Sequence, residues 1–572
     1  MPTFLDNYTP ADLGLPASFF EFRQIQRDLA DFAIYGPAGS ASTDPNPALA
    51  ARRWHGVGAS PGSGKSLAAN AVGLSSGRKF VILTATKALE RQMIEKDKFD
   101  LVTVHGRSNY DCETPDADGK AQSCEQGGES GCKCAGIPSE CPYATQVHRA
   151  AETNTGIVTN YQYWMHARSY NKGALEKHTD PIGLLICDEF HLAVPGQLGQ
   201  FLNTWIGDQD LRHHGGPAYI EVLKSTGGKE WGRLTPIWVE FLNSVFLSVS
   251  VRMAKIVEAY GGMAMAAARE SAEYRKLSKL VRSLERVCDL GGDGNWLWQI
   301  TRSGVSFSVI WPSRYAERFL WSGVDRVIPM SATLRPKALQ LGGLKPNDYW
   351  FKEFPRVFPA ANGPVWWVPT GKIGMKAGEE GKIVSLTRGD AIMEEWMMPH
   401  ADRDLPALGG IVHTPSYQLA EWIYARSRFA RYMCLADRKD PGAAAEKFRR
   451  MEADGLPCAL IGPSYMTGHD FPTPLDRGRW GSWQWIPKLP FADKSDPVVE
   501  TRAEADEQIY NYDAAQTLVQ ACGRRQRSPD CRTVTLITDD AIKNFRYYSA
   551  SHMPKWFSVK DAPGGEMPRR TI

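Results

Sequence analysis

Three groups of residues in this chain could do chemistry, and the third lies between the other two. The string ASPGSGKS, Ala59 to Ser66, packs two glycines and a lysine into a short turn. Gly-rich loops that run into a helix turn their backbone N–H groups toward phosphate oxygens. Ser60, Pro61, Gly62, Ser63 and Gly64 therefore read as a phosphate cradle, Lys65 as the cation on the terminal phosphates and Ser66 as a Mg²⁺ ligand. Ala59 stands where the usual pattern has a glycine, a change that ordinary backbone angles tolerate. Farther on, PIGLLICDEFH reads as an apolar strand, Ile182 to Cys187, tipped by two carboxylates. There Asp188 would hold Mg²⁺ through water, and Glu189 would orient or deprotonate an attacking water; nucleotide hydrolysis needs both. Between these groups, five of the eleven cysteines fall from Cys112 to Cys141, at positions 112, 124, 132, 134 and 141. The segment around them is rich in Gly, Asp, Ser and Pro and has no apolar periodicity, so it cannot fold on a core of its own. Four thiolates on one metal centre would supply the missing stabilisation, and soft sulfur selects zinc or an iron–sulfur cluster. The spacing lacks the paired CxxC knuckles of zinc ribbons.

The elements that must position these groups are also visible. FVILTATKALERQ predicts a buried strand, Phe80 to Leu83, that leads into a helix and places Thr84 and Thr86 at the strand's carboxyl end, where parallel sheets present ligand-binding groups. From Gly196 to Arg302, stretches such as TPIWVEFLNSVFLSVSVRMAKIVEAY carry apolar residues at helical spacing and read as long amphipathic helices. Arg269, Arg275, Lys276, Lys279 and Arg282 punctuate the second of them. A further α/β unit follows. In it GGIVHTPSY is a strand ending in His413, Thr414, Ser416 and Tyr417, and ALIGPSYMTGHDF carries Ser464, Thr467, Gly468 and Asp470. QACGRRQR, Gln520 to Arg527, sets two arginines within one helical turn.

Taken together these strings resemble the XPD/DinG-type superfamily 2 DNA helicases that carry an iron–sulfur cluster. GRSNYDC (Gly106 to Cys112) and CPY (Cys141 to Tyr143) match the edges of that family's cluster domain, and later motifs follow in order to within about fifty residues of the C-terminus. The resemblance implies an α/β fold of two RecA-like P-loop motor domains with an inserted Fe–S cluster domain and an inserted helical arch. The boundaries are 1–105, 151–195 and 303–336 for the first motor domain, 106–150 for the cluster domain, 196–302 for the arch and 337–572 for the second motor domain. It also implies roles. Arg23 and Gln26 of FEFRQIQ match an adenine-recognition segment. Thr84, Thr86, Arg107, Tyr110, His413, Thr414, Ser416, Ser464 and Thr467 would contact DNA. His191 would couple the ATP site to the DNA side, and Ser331, Ala332 and Thr333 of VIPMSATL would link ATP state to DNA grip. Gln520, Gly523, Arg524 and Arg527 fit QxxGRxxR, with the arginines as fingers on the γ-phosphate. Cys112, Cys124 and Cys141 would hold a [4Fe–4S] cluster with Cys132, or with Cys134 in its place. PKWF, Pro554 to Phe557, resembles the family's C-terminal helix, and GGEMPRRTI reads as a short flexible tail.

Composition fits this reading without demanding it. A chain of 572 residues with 43% hydrophobic content supports several domains, and a net charge of +3 confines any nucleic-acid site to a local basic track. No run of eighteen consecutive apolar residues occurs in the sequence, the segment MPTFLDNYTP lacks the basic stretch and apolar run expected of a secretory signal, and the other six cysteines are scattered, which suits reduced thiols. The expectation is a monomeric cytoplasmic enzyme of a bacterium or an infected host, acting with ATP and Mg²⁺ on single-stranded and forked DNA, without a membrane. It would translocate 5′ to 3′ with the cluster domain as a wedge. A translocase that remodels nucleoprotein, an RNA helicase and a non-motor zinc-bearing DNA-binding protein are the alternatives.

Overall fold

The computed structural model describes residues 4–38, 52–96, 99–115, 119–129, 140–153, 156–170, 182–259, 272–370, 378–466, 471, 481–526 and 530–570. Strands β1 (Trp54–Gly58), β2 (Phe80–Thr84) and β3 (Leu101–Thr103) begin a parallel sheet. The cysteine insertion contributes a two-residue pair, β4 (Asp111–Cys112) and β5 (Gln122–Ser123), and the chain returns through β6 (Gly156–Asn160) and β7 (Ile182–Cys187). A second insertion holds β8 (Thr204–Gly207), β9 (Trp231–Arg233), β10 (Trp296–Ile300) and β11 (Gly304–Val309) with two long helices, Pro236–Ala259 and Ala272–Leu290. Strands β12 (Val324–Ser331) and β13 (Tyr349–Glu353) complete the first sheet in the order β13-β1-β12-β7-β2-β6-β3, every pair parallel. The second domain repeats the plan with β14 (Val365–Trp367), β15 (Gly409–His413), β16 (Met433–Leu435), β17 (Cys458–Gly462), β18 (Ser482–Ile486), β19 (Thr533–Ile537) and β20 (Lys560–Asp561), ordered β16-β17-β15-β18-β19-β14-β20.

The sequence dictates these sheets in a simple way. A parallel strand covered by helices on both faces must be apolar along its whole length, and FVILT of β2 and IGLLIC of β7 are buried at every position. One core lies on each side of the first sheet, and one of them extends through the second insertion to Tyr512 of the second domain. The second insertion is stabilised by the buried stripe Trp238, Phe241, Leu242, Val245 and Val249 of its first long helix, packed near Leu280, Leu284 and Val287 of the other. Trp238 also stacks on Trp298 of β10 with ring centroids 5.6 Å apart.

Three expectations need correction. The first motor domain does not stop at residue 336: β13 pairs with β1 from Trp54↔Tyr349 to Gly58↔Glu353, so the sheet closes only at Glu353. The arch is not purely helical and does not end at residue 302, because β8, β11, β10 and β9 form a four-stranded antiparallel sheet running to Val309. The tail is not loose. Trp396 Nε1 donates to the Pro568 carbonyl at 3.1 Å and the Arg570 amide to Glu395 at 2.7 Å, leaving Arg570 2% exposed.

Candidate nucleotide site, interdomain cleft and nucleic-acid track

The phosphate loop follows β1 at the carboxyl edge of its sheet and enters the helix Lys65–Ser75. Gly62 and Gly64 adopt φ of 74° and 82°, the left-handed region that side chains with a Cβ avoid. Both are also crowded. A Cβ on Gly62 would lie 2.1 Å from the Phe358 ring, and one on Gly64 2.1 Å from Gln26 Nε2. Lys65 Nζ donates to the carbonyls of Ala59 (2.9 Å) and Ser60 (3.4 Å). The Ser60 hydroxyl accepts from the Val357 amide at 3.3 Å, so the linker between the domains is fastened to the loop. Arg23 and Gln26 brace the same loop: Arg23 Nη2 donates to the Gly62 carbonyl at 3.1 Å, and Gln26 Oε1 accepts from the Arg23 amide at 2.8 Å.

Asp188 and Glu189 sit at the tip of β7. Glu189 has φ 47°, ψ 44°, a left-handed conformation that costs a non-glycine residue about 1–3 kcal/mol and marks a site held by its surroundings. Those surroundings are a chain of hydrogen bonds. Ser331 O–H, at the end of β12, donates to Glu189 Oε2 at 2.8 Å; Ser331 Oγ is 2.9 Å from His191 Nδ1; and His191 Nε2 is 2.6 Å from Gln520 Nε2 in the second domain. An amide N–H can only donate. Gln520 therefore fixes the tautomer of a neutral His191, with Nδ1–H aimed at Ser331. Burial lowers the His191 pKa, with Glu189 pulling the other way, which keeps the ring neutral. Burial pushes the Glu189 carboxyl up, but Lys65, the Ser331 hydroxyl and Arg524 draw it the other way, and with them the group lies below its ordinary value and stays ionised.

Arg524 lies two residues beyond the helix Glu507–Cys522, in the turn that ends it, and Arg527, expected on the same face, lies outside the described residues. Its Nε donates to the Met466 carbonyl at 2.9 Å. Its neighbour Arg525 is fully buried against Glu452, with a second contact at 3.2 Å, and lies over the Phe448 ring. Gly523 approaches Pro61 of the phosphate loop, where a Cβ would lie 3.3 Å from its ring. The two domains thus meet at the loop and at Glu189. Further contacts tie them together, including Lys337 with Asp506 (2.6 Å) and Arg502 Nε with the Ile310 carbonyl (2.6 Å).

Between the cysteine insertion, the first motor domain and the arch lies a cavity of about 890 Å³. Lys87, Arg107, Arg275, Lys279, Arg282 and Arg286 line it, with Tyr143, Tyr163 and Tyr274 among them. Cations interleaved with aromatic rings are the chemistry of a single-strand track. His166, also in the lining, is held neutral: burial lowers it to about 4, helped by Arg286 and Arg282. Lys276 turns to Asp210 instead, at 2.7 Å. At the cavity's edge Arg107 lies over the Tyr143 ring, the Tyr143 and Tyr163 hydroxyls are 3.2 Å apart, and the Tyr110 hydroxyl accepts from the His105 amide. Tyr110 also ties in the cysteines, since its carbonyl accepts from the Cys124 amide at 2.7 Å. Cys124 and Cys141 are buried with Sγ atoms 3.8 Å apart. Burial and the Cys141 contact push the Cys124 thiol up to about 12, while Arg107 pulls it down. Among the described residues no group of three His, Cys, Asp or Glu side chains is gathered for a metal ion. The donors that are present suit a thiolate-bound group, because a metal deprotonates such thiols outright.

Of the other predicted contacts, Thr84, His413 and Thr414 are buried, whereas Ser416 is exposed and Thr86 and Ser464 are half-buried. His413 and Thr414 are fully buried, His413 Nε2 lying 3.0 Å from Gln484 Oε1, and Thr84 is buried with its hydroxyl on the Thr86 carbonyl at 3.1 Å. Ser416 caps the helix Tyr417–Arg426 by accepting from the Leu419 amide, and Ser464 bonds the Tyr417 hydroxyl. Cys132, Cys134, Arg269, Thr467, Gly468, Asp470 and Arg527 lie outside the described residues. Glu90 escaped sequence reasoning. It is 1% exposed, 3.0 Å from His105 Nδ1 and 3.4 Å from the Thr84 hydroxyl, and only its place on the turn after a TxT strand end hinted at it.

Residues 406–560 match the family model described as the helicase C-terminal domain. The structure of Xpd4 from S. tokodaii aligns over 94% of this chain and 100% of that one, with a TM-score of 0.55 at 14% identity. The chain has the XPD fold. A second XPD helicase structure aligns over the same shares at a TM-score of 0.56 and 14% identity, and an apo XPD structure at 0.51 and 12%. No curated protein sequence matches the chain. The XPD-like architecture accounts for both parallel sheets as two RecA-like domains and for the cleft between them.

Proposed function

We propose that this chain is an ATP-driven DNA helicase that moves 5′ to 3′ along single-stranded DNA. The observation that carries the reading is the hydrogen-bonded chain Glu189–Ser331–His191–Gln520, which joins the residue that would place the attacking water to the opposite motor domain. Opening the cleft breaks it; closing the cleft sets the orientation of Glu189. Hydrolysis can therefore be made conditional on domain closure, which is what a motor requires. Lys65 and the loop amides bind the triphosphate, Glu189 orients water, and Arg524, with Arg527 as the other candidate, stabilises charge on the transferring group. Magnesium, held by Ser66 and Asp188, supplies charge neutralisation when bound. The basic, tyrosine-lined cavity beside the cysteine insertion supports passage of a single strand, and the insertion would stand as the wedge.

The polarity and the [4Fe–4S] assignment rest on the GRSNYDC and CPY resemblance, with Cys112, Cys124 and Cys141 joined by Cys132 or Cys134. Such a group would crosslink a segment that has no core. A single tetrahedral zinc is the second reading, and the 3.8 Å between Cys124 and Cys141 favours it, since Zn–S bonds of about 2.3 Å give a thiolate edge of about 3.8 Å. Metal analysis of anaerobically purified protein separates them: about four irons per chain for the cluster, one zinc for the alternative. The motor reading is tested by single-strand-stimulated ATP hydrolysis, present in the native chain and lost in Glu189→Gln. Unstimulated hydrolysis, or a Glu189→Gln variant with native turnover, would defeat it.

A further inference from the structure

Resting on the motor reading, we infer that Arg356 of the interdomain linker and Gln526, in the turn that carries Arg524, are positioning residues for hydrolysis. Joined to each other, they set how far the arginine finger stands from the phosphate loop. Neither belongs to a motif: QxxGRxxR leaves position 526 open, and Arg356 lies past the last motif of its domain. Arg356 Nη2 donates to Gln526 Oε1 at 2.6 Å, and Gln526 is 8% exposed. A guanidinium donating to an amide oxygen is a charge-assisted bond, and it strengthens further where water is kept off it. The far end of the linker does so on one side. A Cβ on Gly363 would lie 2.6 Å from Gln526 Oε1 and 2.9 Å from Arg356 Nη2, so the backbone there lies directly against the bond.

Three consecutive linker residues touch the two halves of the site. Arg356 holds the turn. The Val357 amide donates to Ser60 Oγ at 3.3 Å, and the Phe358 ring fills the space that a Cβ on Gly62 would need. Just before them, the Phe354 amide donates to the Gly58 carbonyl at 2.7 Å. The linker is thus fastened to β1 and the phosphate loop on both sides of Arg356, and moves with them. The Arg356–Gln526 bond is therefore a contact across the cleft.

On its other side the turn is tied into its own domain by the two residues before Gln526. Arg524 Nε donates to the Met466 carbonyl at 2.9 Å, and Arg525 is buried against Glu452. Three successive side chains thus reach three different elements, two within the second domain and one on the linker. Those two bonds fix the shape of the turn, and the third fixes its distance from the loop. A finger stabilises charge on the transferring phosphoryl group only from bonding distance, and a misplacement of about 1 Å can cost on the order of a hundredfold in rate.

Steady-state ATP hydrolysis with saturating single-stranded DNA, resolved into kcat and KM, tests this. Gln526→Leu removes the acceptor and Arg356→Met the donor; each should lower kcat about tenfold or more and leave KM for ATP within about twofold of native. Gln526→Glu keeps the acceptor and should hold kcat within about threefold of native, which a side chain that only filled space would not distinguish from leucine. Because the two residues act through one bond, the double variant Arg356→Met with Gln526→Leu should be no slower than the slower single variant. Arg356→Met leaves the second domain intact and stays readable should Gln526→Leu not fold. Native kcat in the folded single variants, a raised KM with unchanged kcat, Gln526→Glu as slow as Gln526→Leu, or losses that multiply in the double variant would overturn the assignment. In all of those outcomes the native chain still hydrolyses ATP, and the motor reading stands. If the native chain showed no single-strand-stimulated hydrolysis, the motor reading itself would fall, and this one with it.

Discussion

Replacing Gln520 by leucine strikes the contact on which conditional hydrolysis depends. Gln520 Nε2 lies 2.6 Å from His191 Nε2, and both side chains are buried. Leucine keeps most of the volume and removes the donor, leaving a buried ring nitrogen unsatisfied at a cost of about 1–3 kcal/mol. The contact spans the cleft, so that cost falls on the closed arrangement alone. At 1.4 kcal/mol per decade, the population of the closed state, and the hydrolysis rate through it, should drop about 5- to 150-fold. Lys65 and the phosphate loop are untouched, so nucleotide affinity should change little. Steady-state phosphate release with saturating single-stranded DNA reads the rate, and tripolyphosphate binding reads the loop. Ser331→Ala breaks the next link in the same chain, so the two losses should not add in the double variant. A Gln520→Leu rate within twofold of native, or strictly additive losses, would refute the reasoning.

Two of the cations lining the single-strand cavity can be removed as a pair: Arg275→Ala with Arg282→Ala should weaken DNA binding and lower the slope of log affinity against log salt by about 1.4, whereas Lys276→Ala, already paired with Asp210, should leave the slope unchanged. Fluorescence anisotropy across a salt series decides this, and equal slopes in all three proteins would contradict the track. His413 makes stability depend on pH. Burial lowers its pKa from 6.5 to about 4, so the unfolded chain takes a proton near pH 6.5 that the folded domain refuses until about pH 4. Its contribution is complete above pH 6.5 and falls by on the order of 3 kcal/mol as the pH drops to 4. Urea unfolding of His413→Met should show a shallower loss between pH 7 and 5, and an unchanged pH dependence would exclude His413 as the cause.

The parts of the fold that could be read in the sequence are those where a single local signal is sufficient. The runs FVILT and IGLLIC, short, apolar and containing β-branched residues, read as buried strands, and glycines before a lysine mark the phosphate loop. The antiparallel sheet of the arch was hidden because its four short strands are spread from Thr204 to Val309 and pair through contacts that no local period records. Strand β13 was missed because it lies beyond the last motif of its domain, although its partner β1 is nearly three hundred residues earlier. Charge misled at the tail, whose Arg570 is held by the Glu395 network, and it gave no sign that Arg525 is buried on Glu452. In both cases the partner is remote in sequence, and a charged residue shows its burial only through that partner. His413, the last residue of its strand, and Thr414, just past it, carry a motif's residue types yet are fully buried, and that burial decides their surroundings.

Unwinding of overhang substrates tests the central claim most directly. With Mg-ATP, a duplex carrying only a 5′ single-stranded overhang should be separated, and the same duplex with only a 3′ overhang should not. Lys65→Ala should abolish separation while single-strand binding persists, because the loop and the basic cavity are distinct sites. Efficient separation from the 3′ overhang, or no separation from either under conditions where single strands stimulate hydrolysis, would contradict a 5′ to 3′ helicase.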